Sequence, residues 1–279
     1  MTRVLRTRDE LRAALADAPR PVGLVPTMGW LHAGHRSLMQ RSRAADATTV
    51  VTIFVNPRQF GESTDFTQYP RNEARDVAIC AEEDVDLVWA PPVEEVYVDG
   101  FDTLVRVGAI SSPLEGAARP GHFEGVATVV AILFGLVGAE HAYFGQKDAQ
   151  QVMVIRRMAL DLALPTHVIA CPTVRETDGL ALSSRNVRLA PEDRAAAPVV
   201  HRALAATRDR WEAGERDADV LRDAMRSVLA TEPRAEVDYV SVADGLTLRE
   251  VDTVRGPALA SLAVRFGDVR LIDNELLGG

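Results

Sequence analysis

Two histidines, His32 and His35, stand three positions apart around a glycine in PTMGWLHAGH, residues 26–35, directly after the apolar run VGLVP. Imidazole is the side chain whose donor and acceptor character is tuned near neutral pH. Val22, Leu24 and Val25 read as a short buried strand, Pro26 and Gly29 as turn residues, and the stretch from about His35 to Ala45 as a helix. In that setting Gly34 lets backbone approach a ligand, and the helix N-terminus offers unpaired N–H groups and the positive end of its dipole. Positions three apart share a helix face, so the two rings can serve one anion as neighbours. A lone histidine near a strand end is more often a satisfied polar residue than a catalyst. The pair, the glycine and the strand-to-helix setting together point to nucleotide handling.

Three further segments carry groups suited to the same task. FVNPRQF, residues 54–60, leaves a strand at Asn56 and Pro57, because proline cannot continue the ladder. Gln59 is then placed either to meet hydroxyl and carboxylate oxygens or to sit in solvent. FGQKDAQQ, residues 144–151, repeats the design: HAYF ends at Gly145, and a helix begins near Asp148, a residue type that caps well. Lys147 at the junction suits phosphate, and Asp148 suits either the cap or a ribose hydroxyl. Gln150 and Gln151 point to different faces, and Gln151 is the one expected to line the crevice. In LSSRN, residues 182–186, Ser183 and Ser184 can donate to phosphate oxygens while Arg185 clamps them; the alternative is a serine turn beside a solvated arginine. RPGHF, residues 119–123, leaves two readings open for Arg119 and His122, an anion site or a turn cap.

The elements that must position these groups follow from periodicity. TTVVTIFV, VDLVWA, HAYF and THVIA read as strands, and segments around 8–17, 71–84, 123–138 and 148–162 as helices. Such alternation predicts a Rossmann-like, doubly wound parallel sheet whose ligand crevice lies beyond the carboxyl ends of its strands, where PTMG, FVNP and FGQKD all fall. After residue 173 the texture changes. PEDRAAAPVVHRALAATRDRWEAG and DADVLRDAMRSVLAT read as two amphipathic helices, and DYVSVAD, ALASLAVRFG and VRLIDNEL as a small sheet. The expectation is an α/β domain over 1–173 and a smaller α+β domain over 174–279.

Composition excludes several classes. The chain has 279 residues, 47% of them hydrophobic, which is enough for a substantial core. Lys and Arg total 31 against 40 Asp and Glu, a net charge of -9 that argues against nucleic acid as a partner. Cys80 and Cys171 lack metal-site spacing and are expected to be buried thiols in a reducing compartment. No stretch has signal-peptide character or approaches the roughly 20 apolar residues of a membrane span, so a cytoplasmic protein is expected.

Taken in order, PTMGWLHAGH, FVNPRQFG with QYPR after it, LEGAARPGHFEGVATVV, FGQKDAQQ, DGLALSSRN and GDVRLIDN resemble the pantoate-β-alanine ligase family, within the nucleotidyltransferases that carry the HxGH signature. The markers run from residue 26 to residue 274. The resemblance implies an N-terminal domain that binds ATP and pantoate and a C-terminal domain that closes over them. It implies two chemical steps: the carboxylate of (R)-pantoate attacks the α-phosphate of ATP, and the amine of β-alanine then attacks the acyl carbon of the adenylate. Rival readings are an enzyme that makes a stable nucleotide adduct, such as a phosphopantetheine adenylyltransferase, a class I aminoacyl-tRNA synthetase, and a non-catalytic ATP-binding regulator. The first would need a phosphate-recognising site in place of the glutamine pair, the second an anticodon-binding domain, and the third should lack Lys147, Ser184 and Arg185.

Carried over by motif, Met28, Gly29, Trp30, Leu31, His32, Ala33, Gly34 and His35 would form one wall of the ATP site, with His32 and His35 donating to phosphate oxygens and His35 the proton donor. Gln59 and Gln151 would hold pantoate; Gly145, Gln146, Lys147 and Asp148 would meet ribose and phosphates; Val174 would lie near adenine. Leu182, Ser183, Ser184 and Arg185 would form a mobile phosphate-binding loop. Mg2+ would arrive with ATP and no protein ligand is assigned to it; Asp76 is a candidate, with a surface helix aspartate the preferred reading. A homodimer is implied by the resemblance alone. The chain departs from the family pattern at Trp30, Ala33, Gln146 and GESTDF, residues 61–66.

Overall fold

The structure, a computed structural model, describes residues 1–60, 64–67 and 69–278. The sequence departures at Gly61, Glu62 and Ser63, the side chains of Thr64 and Asp65, and Gln68 of QYPR lie outside the described residues.

Six short strands, β1 (Arg3–Leu5), β2 (Val22–Thr27), β3 (Thr48–Ile53), β4 (Leu87–Trp89), β5 (His141–Gly145) and β6 (His167–Cys171), form a parallel sheet in the order β1-β4-β3-β2-β5-β6. Its central strands show no alternation of apolar and polar residues because both faces are covered: Leu24, Val25, Val50, Val51, Val88 and Trp89 are all fully buried. Helix Ala33–Ala45 and helix Glu73–Glu82 pack with Leu38, Met39, Ile79 and Cys80 against one face, and helix His122–Val137 packs with Phe123, Val130 and Phe134 against the other. β1 escapes the periodicity reading because it is three residues long, begins with Arg3 and is followed by Arg6. The strand order reverses at β2, with β3 and β4 on one side and β5 and β6 on the other. At such a switch point the loops leaving adjacent strands diverge and open a crevice at the carboxyl edge.

The chain divides into two compact units, Met1–Gly145 with Gln150–Pro172, and Gln146–Ala149 with Thr173–Gly279. The second has its own core, with Leu204, Leu221, Met225, Leu262 and Phe266 buried between helices Val199–Glu212 and Ala218–Leu229 and an antiparallel sheet of β7 (Glu236–Asp244), β8 (Ala258–Phe266) and β9 (Val269–Leu277). β8 and β9 are joined through Gly267 and Asp268, with Gly267 at φ +53°, as a tight hairpin requires. The single helix expected over 191–214 is two, Pro191–Ala196 and Val199–Glu212. Pro198 is the cause: it has no N–H to donate and its ring crowds the preceding turn. Among the described residues no helix is long and apolar enough to cross a membrane.

Candidate active site

His32 is the N-cap of helix Ala33–Ala45, and its Nδ1 accepts from the Gly34 N–H at 3.1 Å. His35 occupies the third helical position and its Nδ1 accepts from the His32 N–H at 3.3 Å. This is a reciprocal capping box built from two imidazoles, where serine or threonine paired with glutamate is usual. It has a chemical consequence. A ring nitrogen that accepts cannot carry the proton, so each neutral ring keeps its hydrogen on Nε2. The ring centroids lie 4.1 Å apart, at a helix N-terminus where anions are favoured.

The turn before this helix is strained and is held by Asp76. Gly29 has φ +79° and Trp30 φ +51°, a left-handed pair that costs the non-glycine member on the order of 1 kcal/mol. A Cβ at position 29 would lie 2.9 Å from Asp76 Oδ2, so glycine is required there for space as well. The Asp76 carboxylate accepts the Trp30 and Leu31 N–H groups, each at 2.8 Å, while Arg75 donates to the Leu31 carbonyl and lies over the Trp30 ring. Asp76 is 1% exposed, which corrects its reading as a surface aspartate. The sequence offers no warning, because RNEARD looks like the charged first turn of a solvated helix.

Beyond β3, residues Pro57–Gln59 form a short helical turn with Asn56 as its cap. Asn56 is the hub that sequence reading treated only as a turn former. Its Nδ2 donates to Gln59 Oε1 at 3.0 Å and to the Gly125 carbonyl at 3.1 Å; its Oδ1 accepts from the Tyr97 hydroxyl at 2.6 Å. Burial pushes the Tyr97 phenol up to about 12, so it remains a donor at neutral pH. With its oxygen engaged by Asn56, the Gln59 side chain has its NH2 as the group left to donate. Gly125 permits this packing: a Cβ there would meet the Arg58 carbonyl at 2.3 Å.

Neither reading of Arg119 and His122 was complete. His122, 8% exposed, donates from Nδ1 to the Gln59 carbonyl at 2.9 Å, so its Nε2 accepts from Arg119 at 3.2 Å. The pair ties the arginine to the Gln59 turn. Gln150 is structural, donating to the Ile110 and Pro113 carbonyls and accepting from the Glu115 N–H. Gln151, within the same helix, is half-buried, and its side chain makes no hydrogen bond among the described residues.

In the second unit, Gln146–Asp148 form a helical turn ahead of helix Ala149–Asp161, with Lys147 Nζ 3.8 Å from Asp148 Oδ1. Val174 and Leu182 are joined by the Leu182 N–H donating to the Val174 carbonyl at 3.0 Å, closing a hairpin over residues 174–182. Ser183 Oγ accepts from the Arg185 N–H at 3.2 Å and the Ser183 carbonyl accepts from Asn186, so the serine turn is present and Arg185 is half-buried on it.

Metal chemistry finds no protein cage here. Both Asp76 oxygens are engaged by main-chain N–H groups, and no group of three or more His, Cys, Asp or Glu among the described residues is arranged to hold an ion. The two cysteines are buried and unpaired, and burial raises both thiols, Cys80 to about 12. Alkylation of the native protein at pH 8 is therefore expected to run on the order of a hundredfold slower than in denaturant, read by intact mass. Rapid native labelling of either would contradict the burial.

The model of the pantoate-beta-alanine ligase family matches residues 3–276. The chain belongs to the pantoate-beta-alanine ligase family. Pantothenate synthetases of Roseiflexus sp. (strain RS-1) and Chloroflexus aggregans are 59% identical over 275 residues and 56% identical over 276, covering 99% and 98% of this chain and 99% of each relative. The crystal structure of pantothenate synthetase from Thermus thermophilus superposes with a TM-score of 0.95 at 47% identity, covering 99% of this chain and all of that one. The pantoate-beta-alanine ligase of Francisella tularensis, complexed with beta-gamma ATP and beta-alanine, gives 0.81 at 32% identity, covering 99% and 98%. The α/β fold expected for a family member, a parallel sheet with a second, smaller domain, is the fold observed.

Proposed function

We propose that this ligase-family chain joins (R)-pantoate to β-alanine in two steps driven by ATP, giving pantothenate, AMP and pyrophosphate through pantoyl adenylate. The observation that carries the reading is the imidazole capping box: two neighbouring rings fixed through Nδ1 by their own helix, at the edge where a doubly wound sheet opens. A carboxylate is a poor acyl donor at pH 7, and adenylation supplies its leaving group. The protein needs no nucleophile of its own. It must align the carboxylate with the α-phosphorus and neutralise charge that builds on the phosphates.

His32 and His35 donate to phosphate oxygens in the transition state, and Lys147 adds a full charge. The hairpin residues Ser183, Ser184 and Arg185 bind the leaving pyrophosphate; Gly145 to Asp148 and Val174 serve ribose and base. Gln59, its NH2 directed by Asn56, donates to pantoate, and Gln151 supplies a second amide. Arg119, held on His122 beside the Gln59 turn, is the cation suited to a substrate carboxylate. Mg2+ enters with ATP on its phosphates. A homodimer, on family resemblance, and a cytoplasmic location, on the sequence pattern, complete the reading, and sedimentation tests the dimer.

Incubation with ATP, pantoate and β-alanine tests the reaction. AMP and pyrophosphate should accumulate at steady state only when both organic acids are present; ADP and phosphate, or turnover without pantoate, would refute it. Gln59→Ala is expected to raise the KM for pantoate by about tenfold, the loss of roughly one hydrogen bond to a charged group, with the KM for ATP nearly unchanged. A change confined to ATP would assign Gln59 to the other ligand.

A further inference from the structure

GDVRLIDN, residues 267–274, marks the family resemblance, yet none of its residues has a place in the chemistry above. Its last two side chains are polar and buried within β9: Asp273 is 2% exposed and Asn274 6%. Asn274 donates through Nδ2 to the carbonyls of Gln146 and Lys147, both at 2.9 Å, and its Oδ1 accepts from Gln146 Nε2 at 3.2 Å. The amide thus grips the turn that carries Lys147 by its main chain. Asp273 binds Arg175 through both oxygens, at 2.5 and 3.1 Å, and accepts from the Asn274 N–H at 2.8 Å. Arg175 in turn donates to the Gly179 carbonyl and bridges to Ala181, inside the hairpin that leads into Ser183.

We infer that Asn274, seated by Asp273, is a positioning residue that sets the Lys147 ammonium relative to the 182–185 loop. The inference rests on Lys147 being a phosphate contact, as proposed above. Two neighbouring residues of β9 hold the two segments, so a displacement of one is transmitted to the other through a strand that is paired along its length. The side chain is chemically specific. An amide has two N–H groups for two carbonyls and an oxygen for the Gln146 amide; aspartate would set an anion against both carbonyls, and an apolar residue would leave these part-buried groups without that donor. Gln146 also fits this arrangement, since its amide donates to Asn274 Oδ1, which an ionised carboxylate could not do.

The test is pantoate-dependent exchange of labelled pyrophosphate into ATP by the full chain, in a cycle of Asn274→Asp, Lys147→Ala and the double variant. Asn274→Asp should lower the maximal exchange rate by about 30-fold, with the pantoate KM within about threefold, whereas adding it to Lys147→Ala should cost less than about threefold. Asn274→Ser, which keeps one hydroxyl donor for a carbonyl, should recover part of the rate, and it carries the same cycle if the aspartate variant does not fold. A wild-type rate in the Asn274 variants, or an equal loss in both backgrounds, overturns the inference while leaving the ligase reading intact. A wild-type chain silent in pantoate-dependent exchange overturns that reading, and this inference with it.

Discussion

His35→Ala is expected to slow adenylate formation by about two to three orders of magnitude, with ATP binding much less affected, as for other donors that strengthen only in the transition state. The structure makes a sharper version available, because His35 does two jobs. Its Nδ1 closes the capping box on the His32 N–H, and its Nε2–H is the donor proposed to meet phosphate. Alanine removes both, so part of its effect would be a loosened helix start, worth roughly 1 kcal/mol. His35→Gln separates them. Glutamine at the third helical position can still reach back to the N-cap N–H, but it no longer sets a ring nitrogen beside that of His32. Pantoate-dependent pyrophosphate exchange should fall by about a hundredfold or more in the glutamine variant while its thermal midpoint stays near that of the wild type. An unchanged exchange rate would remove His35 from the chemistry, and a rate restored by glutamine would reduce its role to capping.

Asp76→Ala is expected to be the most damaging substitution for stability near the site, by about 3 kcal/mol or more, read as a lowered urea midpoint. The carboxylate is buried and accepts two main-chain N–H groups at 2.8 Å; alanine leaves both donors without an acceptor in a turn that already holds Trp30 at positive φ. With that support gone, the entry to the His32 cap is free to relax, and the maximal rate should fall along with the midpoint. Asp76→Asn keeps one acceptor oxygen and should lie between. A second readout separates support from metal binding: because both oxygens are committed to the main chain, the Mg2+ concentration needed for half-maximal activity should be the same in Asp76→Asn as in the wild type. A midpoint within about 1 kcal/mol of the wild type, or a raised Mg2+ requirement, would contradict this account of Asp76.

These two residues also mark how far the sequence could be read. The strands of the large sheet were legible because both of its faces are buried, so TTVVTIFV and VDLVWA stand out as apolar runs. The histidine pair was legible because the cap, the glycine and the preceding strand lie within fourteen residues of one another, from Val22 to His35. Asp76 was not, since its partners are 45 and 46 residues away and its own helix looks solvated. Asn56 carried a weaker signal, an asparagine before proline, which announces a turn but not that its amide would orient Gln59 and reach Gly125. Asn274 gave no such signal: it stands between Asp273 and Glu275, so nothing in the run marks it as the buried amide that holds the Lys147 turn. Pro198 was the opposite case, a break plain in the sequence and outweighed by the helical periodicity around it.

The central claim is that the chain activates pantoate as a mixed anhydride with AMP, and oxygen labelling follows the atoms directly. When the carboxylate attacks the α-phosphorus, one of its oxygens becomes the bridge of the adenylate; when the β-alanine amine displaces AMP from the acyl carbon, that oxygen leaves with the phosphate. Pantoate labelled with 18O in its carboxylate should therefore yield AMP carrying one 18O atom per turnover, and unlabelled pyrophosphate. Label in inorganic phosphate with ADP as co-product, or AMP free of label, would contradict the account.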